Sequence, residues 1–362
     1  MQFAVFHPGT QHSWQTAMAL QQLGRLAFYA TSIFHQPDRW PYRLERYLPQ
    51  PLAERVGREF RRFAHAGLDP ALVRTAGVME WLERIATRLG QPGLAQRLDA
   101  IGNRRFGQAL GAALRSDAEF GLWGYNGSSR EAFAIAAETG RKRVLDRTIG
   151  DWRFYNQAMD AIADRYGAWF LPTERRVEQR QIDADDAEYA LADRIVIGSA
   201  PAAETLRRYA GPDVAAKTRV LPYCFDEALF GAQPAPRPVA RDAPVEFLFV
   251  GVANPRKGIH HALEAIAAFP PTAARLTIVG RLGVPREAFA PYADRVRHLP
   301  TVPRGEVPAI MASHHVLLFP SYFEGSALSL IEALASGMAL IQTRQAGNGV
   351  TPGTGILLEQ PD

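Results

Sequence analysis

Short apolar segments alternate with segments of helical periodicity along most of the chain. The run at 3–7 is apolar and leads into a polar loop at 8–12, a helical pattern follows, and a second apolar run occupies 26–31. This β-loop-α-β pattern predicts the start of a parallel sheet. Further strands are predicted at 120–125, 143–146, 194–198, 220–223, 246–250, 276–279, 316–319 and 339–342, with helices between them.

Two segments break the alternation. Residues 37–116 are helical in character with proline breaks, and residues 231–244 contain four prolines and few apolar side chains. We therefore expect an N-terminal domain at 1–230 with a helical insert at 37–116, a linker at 231–244 and a C-terminal domain at 245–362. The predicted fold class is α/β, with two Rossmann-like parallel-sheet domains that face each other across a cleft.

Composition and charge exclude several classes of protein. The 362 residues are 47% apolar, which excludes general disorder, and 41 basic against 37 acidic residues give a net charge of +4, which does not indicate nucleic acid as a partner. The single cysteine, Cys224, excludes an internal disulfide and a cysteine metal site. Neither a signal peptide nor an apolar run of about 20 residues is found, so a cytoplasmic location is predicted.

Two glutamates separated by seven residues form the strongest motif. Glu324 follows a predicted strand and loop, and Glu332 lies in a helix otherwise made of Ala, Leu, Ile and Ser. A carboxylate in such surroundings requires hydrogen-bond partners, and it can accept two hydrogen bonds from a vicinal diol. The alternative interpretation is a solvated glutamate on an ordinary helix. Ser326 is expected to cap this helix.

The second motif combines a glycine loop with a basic pair. Gly251 follows a predicted strand, and Arg256 and Lys257 precede Gly258 at a helix start. A cation beside a helix N-terminus is typical of a diphosphate site, although the pair alone is also compatible with surface charge. Both motifs follow strands of one parallel sheet, so one crevice would hold a phosphate site and a hydroxyl site. A nucleotide sugar has both groups.

These motifs, in this order, resemble those of the retaining glycosyltransferases of group 1 (glycosyltransferase family 4), which have the GT-B fold. The segments 191–199 and 220–226 are also similar to that family. The resemblance covers about residue 188 to the end, and the first domain is similar mainly in its architecture. It implies sugar transfer from a nucleotide-diphosphate sugar to a hydroxyl, without metal or other cofactor, and the leaving phosphate would accept the acceptor's proton on the same face of the sugar.

The resemblance also implies roles for individual residues. Lys257 would hold the donor diphosphate and Glu332 the ribose hydroxyls. Glu324 would bind the transferred sugar and take part in catalysis. Arg256 is expected to replace a family arginine whose place is taken by Val252. The remaining donor contacts are assigned to the segment that follows Glu324: Gly325, Ser326, Ala327 and Leu328.

In the first domain, Asp146 ends a predicted strand where many relatives carry a histidine near the sugar. It would act in catalysis or orient the acceptor, and the alternative is a loop cap with Thr148. Gly9 would allow close approach of the backbone to the diphosphate, and His12 lies in the same loop. The adjacent pairs His260–His261 and His314–His315 are interpreted as structural.

The acceptor is expected to be a glycan, a lipid-linked sugar or a small molecule, as in bacterial cell-envelope polysaccharide synthesis. Residues 39–62 carry seven arginines, three glutamates and interleaved aromatic residues, which is typical of contact with an anionic membrane on its cytoplasmic face or of a solvated insert. Two other functions remain open: a catalytically silent sugar-nucleotide-binding protein, and an NAD-dependent oxidoreductase, which the missing Gly-x-Gly-x-x-Gly disfavours.

The end of the sequence adds one expectation. In the resembling family, a strand like the one at 355–362 is followed by helices that pack on the second domain. The C-terminal domain at 245–362 is therefore expected to lack its final helices.

Overall fold

A computed structural model of the chain describes residues 1–9, 13–61, 63, 65, 67–75, 78–172, 176–231, 239–240 and 242–361. Its contacts divide the chain into two compact units, Met1–Asp146 with Asp183–Ile195, and Arg147–Ile182 with Val196–Asp362. The predicted linker at 231–244 lies largely outside the described residues, and so does His12. The predicted domain boundaries stay a prediction.

The first sheet has seven strands in the order β3-β2-β1-β4-β5-β6-β7. β1 pairs in parallel with β2 and β4, β2 with β3, and β4 with β5. The strands are β1 (Phe3–His7), β2 (Leu26–Thr31), β3 (Val73–Thr75), β4 (Gly121–Tyr125), β5 (Arg143–Arg147), β6 (Arg194–Ile197) and β7 (Thr218–Val220).

The second sheet has six parallel strands in the order β10-β9-β8-β11-β12-β13. They are β8 (Val245–Val250), β9 (Ala274–Val279), β10 (Val296–Leu299), β11 (Val316–Phe319), β12 (Ala339–Thr343) and β13 (Gly355–Leu358). Both sheets therefore contain the doubly wound order 3-2-1-4-5-6, and the predicted fold class of two Rossmann-like parallel sheets is confirmed.

Helices connect the strands, as parallel pairing requires. They are α1 (Ser13–Gln22), α2 (Gln50–Arg61), α3 (Val78–Arg88), α4 (Pro92–Leu114), α5 (Arg130–Glu138), α6 (Trp152–Tyr166), α7 (Gln179–Leu191), α8 (Ala200–Tyr209), α9 (Pro212–Lys217), α10 (Glu227–Phe230), α11 (Ile259–Ala267), α12 (Arg286–Phe289), α13 (Val307–Ala312) and α14 (Leu328–Ala335). None of the helices in the described part of the chain combines the length and apolar character needed to cross a bilayer.

Apolar side chains on both faces of each sheet form the cores. In the first unit, Val5 and Tyr29 pack with Ala17 of α1. In the second unit, Phe249 packs with α11 on one face of the sheet, and Leu317 packs with α14 on the other. The central strands β1, β8 and β11 are thus held by burial of apolar area on two sides, which fixes where each strand ends and where its loop begins.

The predicted elements need three corrections. The insert at 37–116 is helical as expected, but it also adds β3, whose Val73 pairs with Tyr29. The short strand β10 was not predicted. The strand expected at 220–223 lies instead at Thr218–Val220, because Pro222 has no N–H group with which to continue a ladder. β13, at the edge of the second sheet, is largely exposed.

Candidate functional site

The chain order places one pair of loops at the topological switch point of the second sheet. β8 and β11 are neighbours, but their connections leave in opposite directions, to β9 and to β12. Loops that follow such strands border a crevice at the carboxyl edge of the sheet, where ligands bind in open α/β proteins. Both sequence motifs lie there: residues 251–258 follow β8, and residues 320–327 follow β11.

Two glycines let the loop after β8 fold closely over the sheet edge. Gly251 has φ +126° and a Cβ on it would lie 3.3 Å from the Lys257 side chain. Gly258 has φ +69°, and a Cβ there would lie 2.1 Å from the Pro320 carbonyl oxygen. Asn254 caps the short turn between them by accepting a hydrogen bond from the Lys257 N–H at 3.2 Å. The loop therefore turns Lys257 back towards β11.

Glu324 brings the two motifs into one cluster. Its Oε1 lies 2.8 Å from Arg256 Nη1, 2.9 Å from Lys257 Nζ and 3.1 Å from Ser321 Oγ. The Lys257 ammonium also lies 4.5 Å from the centre of the Phe319 ring. Two cations thus meet one carboxylate, which leaves the cluster with a formal charge of +1 and suits it to a further anion.

Burial and charge act in opposite directions on this cluster. Burial alone would raise the pKa of Glu324, but the Lys257 and Arg256 charges hold it below its usual value. Burial lowers the pKa of Lys257, and the Glu324 charge opposes that shift. Each group therefore favours the charged state of the other.

Arg256 is bound to the loop after β11 by more than its ion pair. Its Nη1 donates to the Phe323 carbonyl oxygen at 2.6 Å, and its own carbonyl oxygen accepts from Tyr322 N–H at 2.9 Å. The side chain is thus directed towards Glu324. The prediction that Arg256 compensates for Val252 stays a prediction.

The prediction that Ser326 caps α14 is wrong. The N-cap residue is Ala327, no side chain caps the helix, and Ser326 lies one position too early. The Ala327 N–H donates instead to the Ala346 carbonyl oxygen at 3.1 Å, which holds Ser326 outside the helix. With no side-chain cap, the first-turn amides remain available to an anion. The predicted donor segment from Gly325 to Leu328 therefore offers backbone groups.

Gly325 is required by its neighbours. A Cβ at this position would lie 1.9 Å from the carbonyl oxygen of Thr148. The buried Ser199 hydroxyl, which also caps α8, donates to the Gly325 carbonyl oxygen. These contacts fix the backbone between Glu324 and α14.

Glu332 is buried, which excludes the interpretation as a solvated glutamate. Glu332 is 5% exposed, and its Oε1 lies 2.8 Å from Arg304 Nη2. Sequence reasoning found the carboxylate and its need for a partner but did not single out Arg304. The signal available was weak, because Arg304 lies 28 positions away in a polar turn before α13.

Asp146 lies in the first unit, at the carboxyl end of β5. It is 5% exposed, and its Oδ2 accepts a hydrogen bond from Trp123 Nε1 at 3.2 Å. Burial raises the pKa of this carboxyl to about 7, although hydrogen bonds from Trp123 and Tyr125 act to lower it. A carboxyl that titrates near neutrality is able to donate as well as accept a hydrogen bond.

Gly9 also lies in the first unit, after β1. Its N–H donates to His7 Nδ1 at 2.9 Å, and its carbonyl oxygen accepts from Thr31 Oγ1 at 3.5 Å. These bonds hold the loop after β1 over the end of the strand. The predicted contact of Gly9 with a diphosphate stays a prediction.

A buried glutamate, which the sequence did not reveal, binds the N-terminus of α5 in the first unit. Glu188 of α7 accepts hydrogen bonds from the N–H groups of Gly127, Ser129 and Arg130, at 2.8, 2.7 and 3.2 Å. Burial raises its pKa to about 7, against the effect of these bonds. The start of α5 is therefore already occupied by a carboxylate.

The two histidine pairs lie within the second unit. His261 shares a 2.6 Å hydrogen bond with the Tyr322 hydroxyl, and His314 Nε2 shares one of 2.8 Å with Thr277 Oγ1. His260 is fully buried. Such contacts are typical of structural histidines. Among the residues that the structure describes, no three His, Cys, Asp or Glu side chains are grouped so as to hold a metal ion.

The C-terminal part of the chain matches a known protein family. The model of a family described as glycosyl transferases group 1 matches residues 244–362, which contain the whole second sheet. No curated protein sequence matches the chain.

Solved structures match the whole chain. Sucrose-phosphate synthase from Thermosynechococcus elongatus aligns with a TM-score of 0.61 and 17% identity, over 100% of this chain and 86% of that one. HepE from Anabaena, in complex with UDP and glucose, gives 0.55 and 14% over 100% and 87%. The lipopolysaccharide outer core galactosyltransferase WaaB gives 0.58 and 13% over 100% and 86%. At these identities the likeness shows the fold, and the predicted GT-B fold is confirmed.

Proposed function

We propose that the protein is a group 1 glycosyltransferase, whose family model matches residues 244–362, and that it transfers a sugar from a nucleotide-diphosphate sugar to an acceptor hydroxyl with retention of configuration. One observation carries the proposal. Arg256, Lys257 and Glu324 meet at the switch point of the second sheet, beside the uncapped start of α14. This arrangement offers cations and amides to a diphosphate and a carboxylate to sugar hydroxyls.

In the proposed reaction the chain acts mainly by electrostatics. The bond from the anomeric carbon to the diphosphate oxygen breaks, and the acceptor oxygen bonds to that carbon on the same face. The acceptor's proton passes to the leaving phosphate. Lys257, Arg256 and the first-turn amides of α14 stabilise the charge that grows on the diphosphate, while Glu324 orients the sugar through its hydroxyls. Asp146 is proposed to hydrogen-bond a sugar or acceptor hydroxyl.

Nucleoside diphosphates are expected to stabilise the protein against heat. HepE was solved in complex with UDP-glucose, so we would screen UDP and UDP-hexoses first, then ADP and GDP and their sugars. A ligand at 100 times its Kd adds about 2.7 kcal/mol to the free energy of unfolding and raises Tm by several degrees. The matching nucleosides, which lack phosphate, serve as the control. The proposal is contradicted if no diphosphate raises Tm above its nucleoside.

Turnover separates a transferase from a silent binding protein. A sugar nucleotide that stabilises the protein is incubated with it and with candidate acceptors, and free nucleoside diphosphate is measured. Steady release that depends on Lys257 supports transfer. Binding without any release would favour the silent sugar-nucleotide-binding protein, which shares the site but not the chemistry.

We further propose that residues 39–62 bring the protein to an anionic membrane and thereby to a lipid-linked acceptor. Trp40 and Tyr47 are 67% and 75% exposed. Arg46 pairs with Asp38 and Arg61 with Glu45, and both pairs involve solvent-exposed arginines that remain able to meet phosphate groups. Exposed aromatic side chains among arginines are typical of interfacial segments.

Flotation with phosphatidylglycerol-rich vesicles tests this contact. Binding is expected at low salt and should fall at high salt, because each arginine near the surface contributes about 1 kcal/mol of screened attraction. Replacing Trp40 and Tyr47 with alanine should weaken binding to the anionic vesicles. Phosphatidylcholine vesicles are the control, and absence of binding to anionic vesicles at low salt would refute the idea.

A further inference from the structure

A buried ion pair lies beside the proposed donor site. Glu332 is carried by α14 between the buried Leu330 and Ala333, and its Oε1 lies 2.8 Å from Arg304 Nη2. The two side chains differ in exposure: that of Glu332 is 6% exposed and that of Arg304 is 51% exposed. The pair thus has a buried acidic end and a basic end open to solvent.

The neighbours of Arg304 restrict where its guanidinium can lie. Its Cζ lies 6.0 Å from the centre of the Phe230 ring, which is itself 1% exposed and packed in the core of the second unit. The backbone of Arg304 belongs to the short turn Arg304–Glu306 that begins α13. A planar guanidinium held by an ion pair on one side and a fixed ring on the other gives the carboxylate one preferred orientation.

The carboxylate keeps acceptor capacity in this arrangement. An ionised carboxylate has two oxygens, and the hydrogen bond from Arg304 uses Oε1. Burying such a group without a cation is costly, so removing Arg304 would favour another rotamer or a more solvated position of the acid. Arg304 thereby determines in which direction Oε2 is presented.

We propose that Arg304 is the positioning residue for recognition of the ribose, since it orients Glu332 so that the second carboxylate oxygen accepts from the ribose diol. This inference rests on the proposed function, in which Glu332 binds the ribose hydroxyls. It makes discrimination between a ribonucleotide and its 2′-deoxy counterpart depend on Arg304. The guanidinium itself need not touch the ligand.

The test compares ligands that share a diphosphate but differ in the sugar. The Kd values of UDP, ADP and GDP, of their 2′-deoxy counterparts and of inorganic pyrophosphate are measured by calorimetry for the wild type, R304Q, R304K, E332Q and R304Q/E332Q. R297Q is the matched control, because Arg297 is an exposed arginine of β10. Circular dichroism and Tm show which variants are folded.

The preferred ribonucleotide is expected to bind R304Q about 10- to 100-fold more weakly than the wild type, the cost of a lost charged hydrogen bond. The preference for ribose over deoxyribose should disappear, while the Kd of pyrophosphate should stay the same. R304K should restore part of the preference for ribose. R304Q/E332Q should bind the ribonucleotide no more weakly than E332Q does. If R304Q does not fold, R304K and E332Q carry the same comparison.

Three outcomes would overturn the inference. An unchanged ribose preference in R304Q removes the role of Arg304 and leaves the proposed function intact. An equal loss for ribonucleotide, deoxyribonucleotide and pyrophosphate shows a general effect of charge or folding. If the wild-type protein binds none of UDP, ADP and GDP, the proposed function is refuted, and this inference with it.

Discussion

Replacing Lys257 with alanine should lower the turnover of sugar transfer by about 100- to 1000-fold, which is the usual cost of losing one preorganised charge at a developing anion. Lys257 Nζ is held by Glu324 and lies over the Phe319 ring, so it is already in place before the donor binds. The cation would stabilise the leaving diphosphate more than the ground state. The loss should therefore be larger in kcat than in the Kd of the nucleoside diphosphate.

The control for this variant is Lys142→Ala. Lys142 is one of the three lysines of the chain and is exposed just before β5, in the first unit. It should keep wild-type turnover. Equal activity of the two alanine variants would contradict the assignment of Lys257 to the diphosphate. In Lys257→Ala the pKa of Glu324 should also rise, because the lysine charge helps to hold it low.

The second large effect concerns stability and pH. The pKa of Asp146 is about 7 in the folded chain, against 3.8 for an ordinary aspartate. Between these values the unfolded chain has released the proton and the folded chain still holds it. The free energy of unfolding therefore falls as the pH rises from about 4 to about 7, and this contribution stays lost above pH 7. A shift of this size corresponds to about 4 kcal/mol.

Asp146→Asn should remove that loss. The asparagine is neutral in both states, and its Oδ1 is able to accept the Trp123 indole hydrogen bond. Relative to the wild type, the variant should gain stability from pH 4 to pH 7 and be more stable at pH 8, as measured by urea unfolding at each pH. Glu188 also has a pKa of about 7, so part of the fall in the free energy of unfolding with pH remains in both proteins.

The exposed Asp117→Asn is the control for this series, because its carboxylate meets solvent in the folded and unfolded chain alike. Its unfolding free energy should follow the wild type across the pH range. An Asp146→Asn series parallel to the wild type would show that the folded carboxyl titrates as an ordinary acid. In that case the Asp146 carboxyl would not be able to donate a hydrogen bond near neutral pH.

The sequence predicted the strands of both sheets well where apolar runs are continuous. β1, β2 and β11 have the predicted bounds, because strands buried on both faces consist of uninterrupted apolar residues. β3 and β10 were missed because short edge strands carry a mixed pattern. The pairing of β8 with β11 was not predicted from the sequence. It was found in the structure, as part of the doubly wound strand order.

The components of the candidate site were also visible locally, but their connections were not. A glycine loop followed by Arg256 and Lys257, and two glutamates seven residues apart, are patterns of neighbouring residues. The sequence assigned the cations to phosphate and Glu324 to sugar. The ion pairs show that the three side chains share one cluster. Ser326 was misassigned as a cap because the contact between Ala327 and Ala346 joins distant segments.

The sequence by itself determined the fold class of the protein, two Rossmann-like parallel sheets, and found two motifs that follow strands of the second sheet. Periodicity and loop glycines are local, so they can be found without coordinates. Only the tertiary structure decided which charges meet, that Arg304 partners Glu332, and that Asp146 keeps its proton to about pH 7. These properties depend on burial and on residues far apart in the chain, because ion pairing and desolvation act over distances in space.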